Sequence, residues 1–267
     1  MKTFYKTIVL SDLHLGIRAS KAKEVLNFLK HHKCETLILN GDIIDGWQLR
    51  KNGKWTKAHS NFFKHIINLT SKKKCKIVYI RGNHDDFLEE IMPFKLGNFS
   101  IRKYYIHYGV HNKYFVTHGD IFDNVTSKLK WIAKLGDVGY TFLLWLNRHY
   151  NVYREKRGMP YYSLSQVIKT KVKSAVSFIS DFETELVKVA RSRKCHGIIC
   201  GHIHQPAIKT IDGVEYLNSG DWVESLTALV ETEQGEWKII YYQDWLNSLK
   251  TDEPNLQNEL PQGVTTN

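Results

Sequence analysis

Short apolar runs that stop abruptly at chemistry-bearing polar residues set the rhythm of this chain. Lys6 to Ser11 runs into Asp12-Leu13-His14, Thr36 to Asn40 into Gly41-Asp42, and Lys76 to Ile80 into Arg81-Gly82-Asn83-His84-Asp85. Later, Lys113 to Thr117 ends at His118-Gly119-Asp120, and Gly197 to Cys200 ends at Gly201-His202-Ile203-His204. Short runs rich in Ile, Val and Leu that close at a Gly or Asn predict buried strands. Between the first three, apolar positions switch to helical spacing: Val25, Leu26 and Leu29 within Ser20 to Lys30, and a second set from Ala58 to Leu69. The first third therefore reads βαβαβ, which predicts a mainly parallel sheet with right-handed crossovers. Sites in open α/β sheets lie outside the carboxyl ends of the strands. The five runs would then deliver Asp12, His14, Asp42, Asn83, His118, His202 and His204 to one rim.

The rest of the pattern is less regular. A polar loop is expected after Gly46-Trp47, and Ile101 to His107 reads as one strand followed directly by Lys113 to Thr117. From about 125 to 193 no strand-like run occurs, only helical periodicity. Leu129, Ile132, Ala133 and Leu135 mark one helix, and Leu164, Val167, Ile168, Val172, Ala175, Val176 and Ile179 a second. Ser180-Asp181 reads as the cap of a third helix carrying Leu186, Val187 and Ala190. This span is expected to be a helical insertion, either a cap over the rim or an ordinary packing layer. Strands are expected again over Ala207 to Ile211, Val214 to Leu217, Ser225 to Val230 and Glu236 to Tyr242. The predicted layout is a core of residues 1–124 and 194–248, an insertion over 125–193 and a flexible tail over 249–267.

Composition narrows the classes. A chain of 267 residues suits one large domain with an insertion. No apolar run approaches the ~20 residues that a membrane helix needs. Met1 to Lys6 enters a strand with no signal-peptide core, so a cytoplasmic location is expected. Cys34, Cys75, Cys195 and Cys200 show no CxxC spacing and support neither a zinc ribbon nor a thioredoxin-type motif. The excess of 38 Lys and Arg over 27 Asp and Glu favours an anionic partner, although basic clusters are also ordinary solvated faces. One cluster is Lys72, Lys73, Lys74 and Lys76; another gathers Arg148, Arg154, Lys156, Arg157, Lys169, Lys171 and Lys173. No helix-turn-helix, zinc finger or RNP-like motif is present, which makes nucleic acid the less favoured partner.

Two divalent ions held close together need a shared anionic bridge, with oxygen and imidazole ligands completing each shell. A single Asp or His after a strand is more often a cap or a surface group. Here Asp12-x-His14, Gly41-Asp42-x-x-Asp45, Gly82-Asn83-His84-Asp85, His118-Gly-Asp and Gly201-His202-x-His204 occur in one order, and together they resemble the calcineurin-like metallophosphoesterases. The resemblance implies an α/β fold, a four-layer αββα sandwich. It implies one metal on Asp12, His14, Asp42 and His204 and a second on Asp42, Asn83, His118 and His202, with manganese first and iron or zinc as alternatives. His84 matches the family's non-ligand histidine, which stabilises charge at phosphorus or protonates the leaving oxygen. Asp45 matches the carboxylate that orients it.

Within that superfamily the layout is similar to the UDP-2,3-diacylglucosamine diphosphatases of lipid A synthesis. The shared features are the Ser11-Asp12-Leu13-His14-Leu15 opening, the insertion between His118 and His202, and Gln205-Pro206 followed by Asn218-Ser219-Gly220-Asp221-Trp222. Those enzymes carry Arg where this chain has His84, and Gly-Asn-His-Asp is closer to the wider superfamily. The likeness implies a nucleotide-linked lipid or another phosphorylated small molecule as partner, and peripheral contact with the anionic inner face of a membrane. Arg148, Arg154, Lys156 and Arg157 are its candidate phosphate contacts, on charge. The rival expectations are a phosphodiesterase or pyrophosphatase for another nucleotide, nucleic acid or lipid, and a non-catalytic scaffold on the same fold.

Overall fold

A computed structural model of the chain describes residues 3–71, 75–120, 153–154, 156–159 and 179–251. The strand period of two divides the first three strands between two cores. In β1 (Thr3–Leu10), β2 (His32–Asn40) and β3 (Lys76–Ile80), one face carries Ile8, Leu10, Leu37, Leu39, Ile77 and Tyr79. That face packs against Val25, Phe28 and Leu29 of α1 (Ala22–His31) and Phe62 and Ile66 of α3 (Lys57–Ser71). The opposite face, with Val9, Ile38, Val78 and Ile80, meets Tyr114, Val116, Ile199 and Leu217 of a second sheet. Such strands, covered on both sides, read as continuous apolar runs rather than alternating ones.

The remaining strands are β4 (Phe94–Leu96), β5 (Phe99–Arg102), β6 (Tyr105–Tyr108), β7 (Lys113–Val116), β8 (Gly197–Cys200), β9 (Ala207–Ile211), β10 (Val214–Asn218), β11 (Thr227–Glu231) and β12 (Trp237–Tyr241). The first sheet runs β12-β11-β1-β2-β3-β5-β4 and the second β6-β7-β8-β10-β9. The pairs β1·β2, β2·β3, β3·β5, β7·β8 and β8·β10 are parallel, and antiparallel strands close the edges, so both sheets are mixed. A helix over 179–192 (α4) lays Phe182, Leu186, Val187 and Ala190 on the outer face of the second sheet, against Phe115, Ile198 and Tyr216. The layers run helix, sheet, sheet, helix.

Several elements differ from the pattern reading. The apolar stretch 101–107 is two strands in two sheets. Its residues turn at Lys103-Tyr104, which contains no Gly or Pro to betray the break, and the chain crosses there from β5 to β6. The expected loop after Gly46 is a short helix, α2 (Gly46–Lys51), whose first turn is capped by Asp45 accepting from Gln48 N at 2.8 Å. Ser180-Asp181 lies inside α4 rather than at its start, since helix is already present at 179. The first two helices expected in the insertion lie outside the described residues, while α4, its last part, is a packing layer of the core. A helix α5 (Tyr242–Thr251) closes the described chain, with Tyr242, Trp245 and Leu246 against the first core.

A buried polar staple ties the sheets together at the end remote from the histidine motifs. Glu231 of β11 accepts from Thr7 Oγ1 at 2.8 Å and from Val110 N at 2.7 Å, and lies 3.3 Å from His107 Nε2 of β6. Burial raises its carboxyl, but the bonds from His107, Val110 and Thr7 outweigh that and hold it below the ordinary 4.5. A depressed folded-state pKa gives stability that is complete above 4.5 and is lost as pH falls through the folded value. Glu231→Gln is therefore expected to cost about 1–2 kcal/mol at pH 7, with the gap from wild type closing at pH 3, as read by urea unfolding at the two pH values.

Candidate metal centre

The carboxyl ends of β1, β2, β3, β7 and β8 bring the strand-end residues together. Asp12 and Asp42, both essentially buried, sit opposite four imidazoles. Asp12 Oδ1 lies 3.2 Å from His204 Nε2 and 4.0 Å from both His14 Nε2 and His118 Nε2. Asp42 Oδ2 lies 3.4 Å from His118 Nε2, 3.8 Å from His14 Nε2 and 3.9 Å from His84 Nε2. Three groups of converging ligand atoms result: Asp12 with His14 and His204, Asp42 with His118 and His202, and Asp45 with His14 and His84. Asp42 faces histidines of the first two as well as His84.

The backbone pays locally to aim these groups. Asp12, His14, Asp42, His202 and His204 all have positive φ, between 46° and 70°. For residues other than glycine this region costs about 1–2 kcal/mol each, and such strain gathers at functional sites where the surrounding fold over-determines it. The loops are held by cross-links between strand ends: Asp12 N to Gly41 O at 3.0 Å, His14 N to Asp42 O at 2.9 Å, and Trp222 N to Asp12 O at 3.1 Å. The free carboxylate oxygens are used too, since Asp42 Oδ1 accepts from His84 N at 2.8 Å and Asp12 Oδ2 from His202 N at 3.1 Å.

Outer contacts fix which ring nitrogen points inward. His118 Nδ1 donates to Asn40 O at 2.9 Å, leaving Nε2 for the cluster. His14 Nδ1 lies 3.3 Å and His84 Nδ1 3.0 Å from the same oxygen, Asp45 Oδ2. Asp45 thus serves three partners at once, two imidazoles and the α2 N-terminus, where the sequence assigned it only to His84. Carboxylates and carbonyls behind ligating histidines set the tautomer and raise ligand basicity.

Carboxylates and imidazoles in the cluster favour each other's charged forms. Burial pushes the Asp12 carboxyl up, but His204 and His118 outweigh it and hold it at about 2. Burial acts the same way on Asp42, and His118 above all holds it well below the carboxylate range. In return, and against burial, His118 is raised well above its usual value and His204 to about 9, the latter chiefly by Asp12. Paired buried carboxylates facing converging imidazole nitrogens are a donor set for divalent cations. The Asn83 amide supports that reading independently: it is buried, and neither Oδ1 nor Nδ2 has a hydrogen-bond partner among the described residues. An orphaned buried amide beside such a set fits an oxygen ligand for a divalent cation.

The structure adds residues that the motifs did not single out. Asp85, fully buried, accepts from Ile43 N, Tyr79 Oη and Gly82 N and so pins the loop that carries Asn83. Burial and the neighbouring Asp42 push it up to about 6. Trp47 lies over His84 with ring centroids 4.4 Å apart. Arg81 forms an ion pair with Asp120, tying the β3 and β7 loops together. Their sequence signals were present: Asp85 and Asp120 stand inside quoted motifs. Arg148 lies outside the described residues. Arg154, Lys156 and Arg157 belong to a short turn in which Arg157 N donates to Arg154 O at 3.0 Å and the Arg157 guanidinium lies over the Tyr153 ring. All four cysteines are buried and unbridged.

Gly82 leaves no room for a side chain. A Cβ there would lie 2.3 Å from Asp42 Oδ1 and 2.5 Å from Asp42 N. Gly82→Ala is expected to displace Asp42 and weaken metal retention by about 10–100-fold, the range for losing an outer-shell support. Metal titration monitored by calorimetry would read the change.

Solved structures that resemble the chain include an archaeal phosphodiesterase (17% identity, TM-score 0.42, covering 88% of this chain and 98% of that one). A phosphoesterase, Yfce, from E. coli matches at 12% identity with TM-score 0.40 over 88% and 98% of the two chains. A hypothetical protein of Pyrococcus horikoshii OT3 matches at 12% identity with TM-score 0.45 over 94% and 95%. No curated protein matches the sequence. The family described as calcineurin-like phosphoesterase matches residues 5–206, a span that begins in β1 and ends just past His204. That span takes in every strand-end motif and most of the chain, and the protein therefore belongs to the calcineurin-like phosphoesterase family, as a metal-dependent phosphoester hydrolase.

Proposed function

We propose that the chain holds two divalent ions, manganese first, and hydrolyses a phosphodiester or pyrophosphate bond, with UDP-2,3-diacylglucosamine as the foremost substrate and UMP and 2,3-diacylglucosamine 1-phosphate as products. The observation that carries the reading is Asp42 facing two adjoining histidine groups, with the unpartnered Asn83 amide beside it. One ion would take Asp12, His14, Asp42 and His204, the other Asp42, Asn83, His118 and His202. Bound ions supply Lewis acidity toward phosphoryl oxygens and acidify water.

The chain's own residues do the rest. Asp45 holds His84 through Nδ1, and Trp47 covers one face of its ring, which leaves Nε2 directed at the cluster. In its protonated form Nε2 donates to a phosphoryl oxygen, or passes its proton to the leaving oxygen. His84 keeps 18% of its side chain exposed, in contrast to the buried His118, and so can meet a substrate. An acid placed there has no use in a binding scaffold, which favours the enzyme over that rival. Arg148, Arg154, Lys156 and Arg157 would contact the substrate phosphates, and the chain's net charge of +11 suits peripheral contact with an anionic inner leaflet. No helix among the described residues is long and apolar enough to cross a membrane.

The test is hydrolysis of UDP-2,3-diacylglucosamine beside bis-p-nitrophenyl phosphate, each with manganese and with EDTA. Manganese-dependent release of UMP is expected. Hydrolysis of the generic diester alone would discard the lipid substrate and keep the diesterase.

A further inference from the structure

The side of the sandwich where β4 and β5 of the first sheet meet edge strand β6 of the second holds a cleft of about 300 Å³. Its composition is one-sided: Lys76, Lys95, Arg102, Ser100, Phe99 and Tyr105 contribute to its walls, and no carboxylate does. Strand register explains why the cations converge. Ser100 pairs with Val78 in β3 and with Lys95 in β4, and directly paired residues share a face. Val78 belongs to the core between the sheets, so Ser100 and Lys95 face the second sheet, with Arg102 two positions on in β5 and Lys76 two positions back in β3. Lys76 reaches across and donates to Tyr105 Oη of β6 at 2.5 Å. Lys95 and Arg102 make no ion pair among the described residues. Unneutralised cations in one concavity attract anions.

We infer that this cleft is a second binding site, for a small phosphate-bearing anion, distinct from the metal centre. It shares no lining residue with the ligand clusters. Lys95 and Arg102 supply charge-assisted donors, Lys76 is held in place by Tyr105, and Tyr105 closes the site on the side of the second sheet. The volume is at the small end for ligand pockets, which suits a compact anion and not an extended polymer.

The probe is inorganic pyrophosphate, titrated calorimetrically at low salt into the full chain carrying Asp42→Ala and kept in EDTA, so that no metal can hold it at the rim. Saturable one-site binding is expected. Lys95→Glu and Arg102→Gln, both at exposed positions, should each weaken it at least about tenfold, while Lys23→Glu on the exposed face of α1 should leave it unchanged. Absence of binding would overturn the inference, as would equal weakening by Lys23→Glu. Binding confined to phosphatidylglycerol vesicles, with none to pyrophosphate, would also overturn it and make these residues a membrane face.

Discussion

Asp42→Ala is expected to remove metal and hydrolysis together, with a loss of at least about a thousandfold in kcat/KM, or about 4 kcal/mol of transition-state stabilisation. Asp42 Oδ2 lies within 3.8 Å of both His14 and His118, histidines of different ligand groups, closer than the 4.0 Å at which Asp12 Oδ1 meets His118. Its other oxygen accepts from His84 N, so alanine would also free the loop that carries Asn83 and His84. Asp42→Asn separates the two roles. The amide oxygen can still receive the His84 N–H, but the bridging charge is gone. Metal content per chain, measured by plasma mass spectrometry, should fall in both variants. Full metal content and activity in Asp42→Asn would dismiss Asp42 as the bridge.

His84→Ala should behave differently: metal content unchanged and turnover reduced about 10²–10⁴-fold, the range for losing a general acid or base. The distinction follows from geometry. His84 Nε2 is 3.9 Å from Asp42 Oδ2 while its ring is partly open to solvent, and its Nδ1 is engaged by Asp45. His84 is a cleaner probe than Asp45, because Asp45 Oδ2 also backs His14 and its loss would disturb the ligand set. Single-turnover rates with metal held saturating would isolate the chemical step. Normal turnover in His84→Ala would remove it from the reaction.

The site was legible because its residues follow strands. Each strand is a run of apolar residues covered on both faces, and each run ends where backbone leaves the sheet, so Asp12, Asp42, Asn83, His118 and His202 stand out as polar residues at the same kind of boundary. The structure does bring them to one rim. The left-handed backbone at Asp12, His14, Asp42, His202 and His204 gave no sequence signal beyond the tolerance of Asp and His for it. The crossing between sheets at Lys103-Tyr104 was hidden for a related reason: Phe99 to Tyr108 is rich in strand-forming residues throughout, and propensity records strand without recording which sheet. The helix α5 was missed, in a stretch read as strand up to Tyr242 and tail from 249, although its signal was present. Tyr242, Trp245, Leu246 and Leu249 fall at i, i+3, i+4 and i+7, the spacing of one helical face. The brevity of α2 explains its omission, since six residues are too few to show a period.

The order of strands in the first sheet also bears on how the molecule comes into being. β1 sits between β2 and β11, and Thr7 of β1 is paired with Glu231 of β11, 224 residues further along the chain. During synthesis β1 and β2 can associate early, but the other edge of β1 has no partner until β11 emerges. At a ribosomal rate of 5–20 residues per second that wait lasts roughly 11–45 s. Throughout it, an apolar strand with unpaired amides and carbonyls is exposed, the feature that templates intermolecular pairing. The sheet that carries Asp12 therefore closes only after β11 has been made, and until then the exposed edge of β1 is the part of the chain most open to wrong pairing.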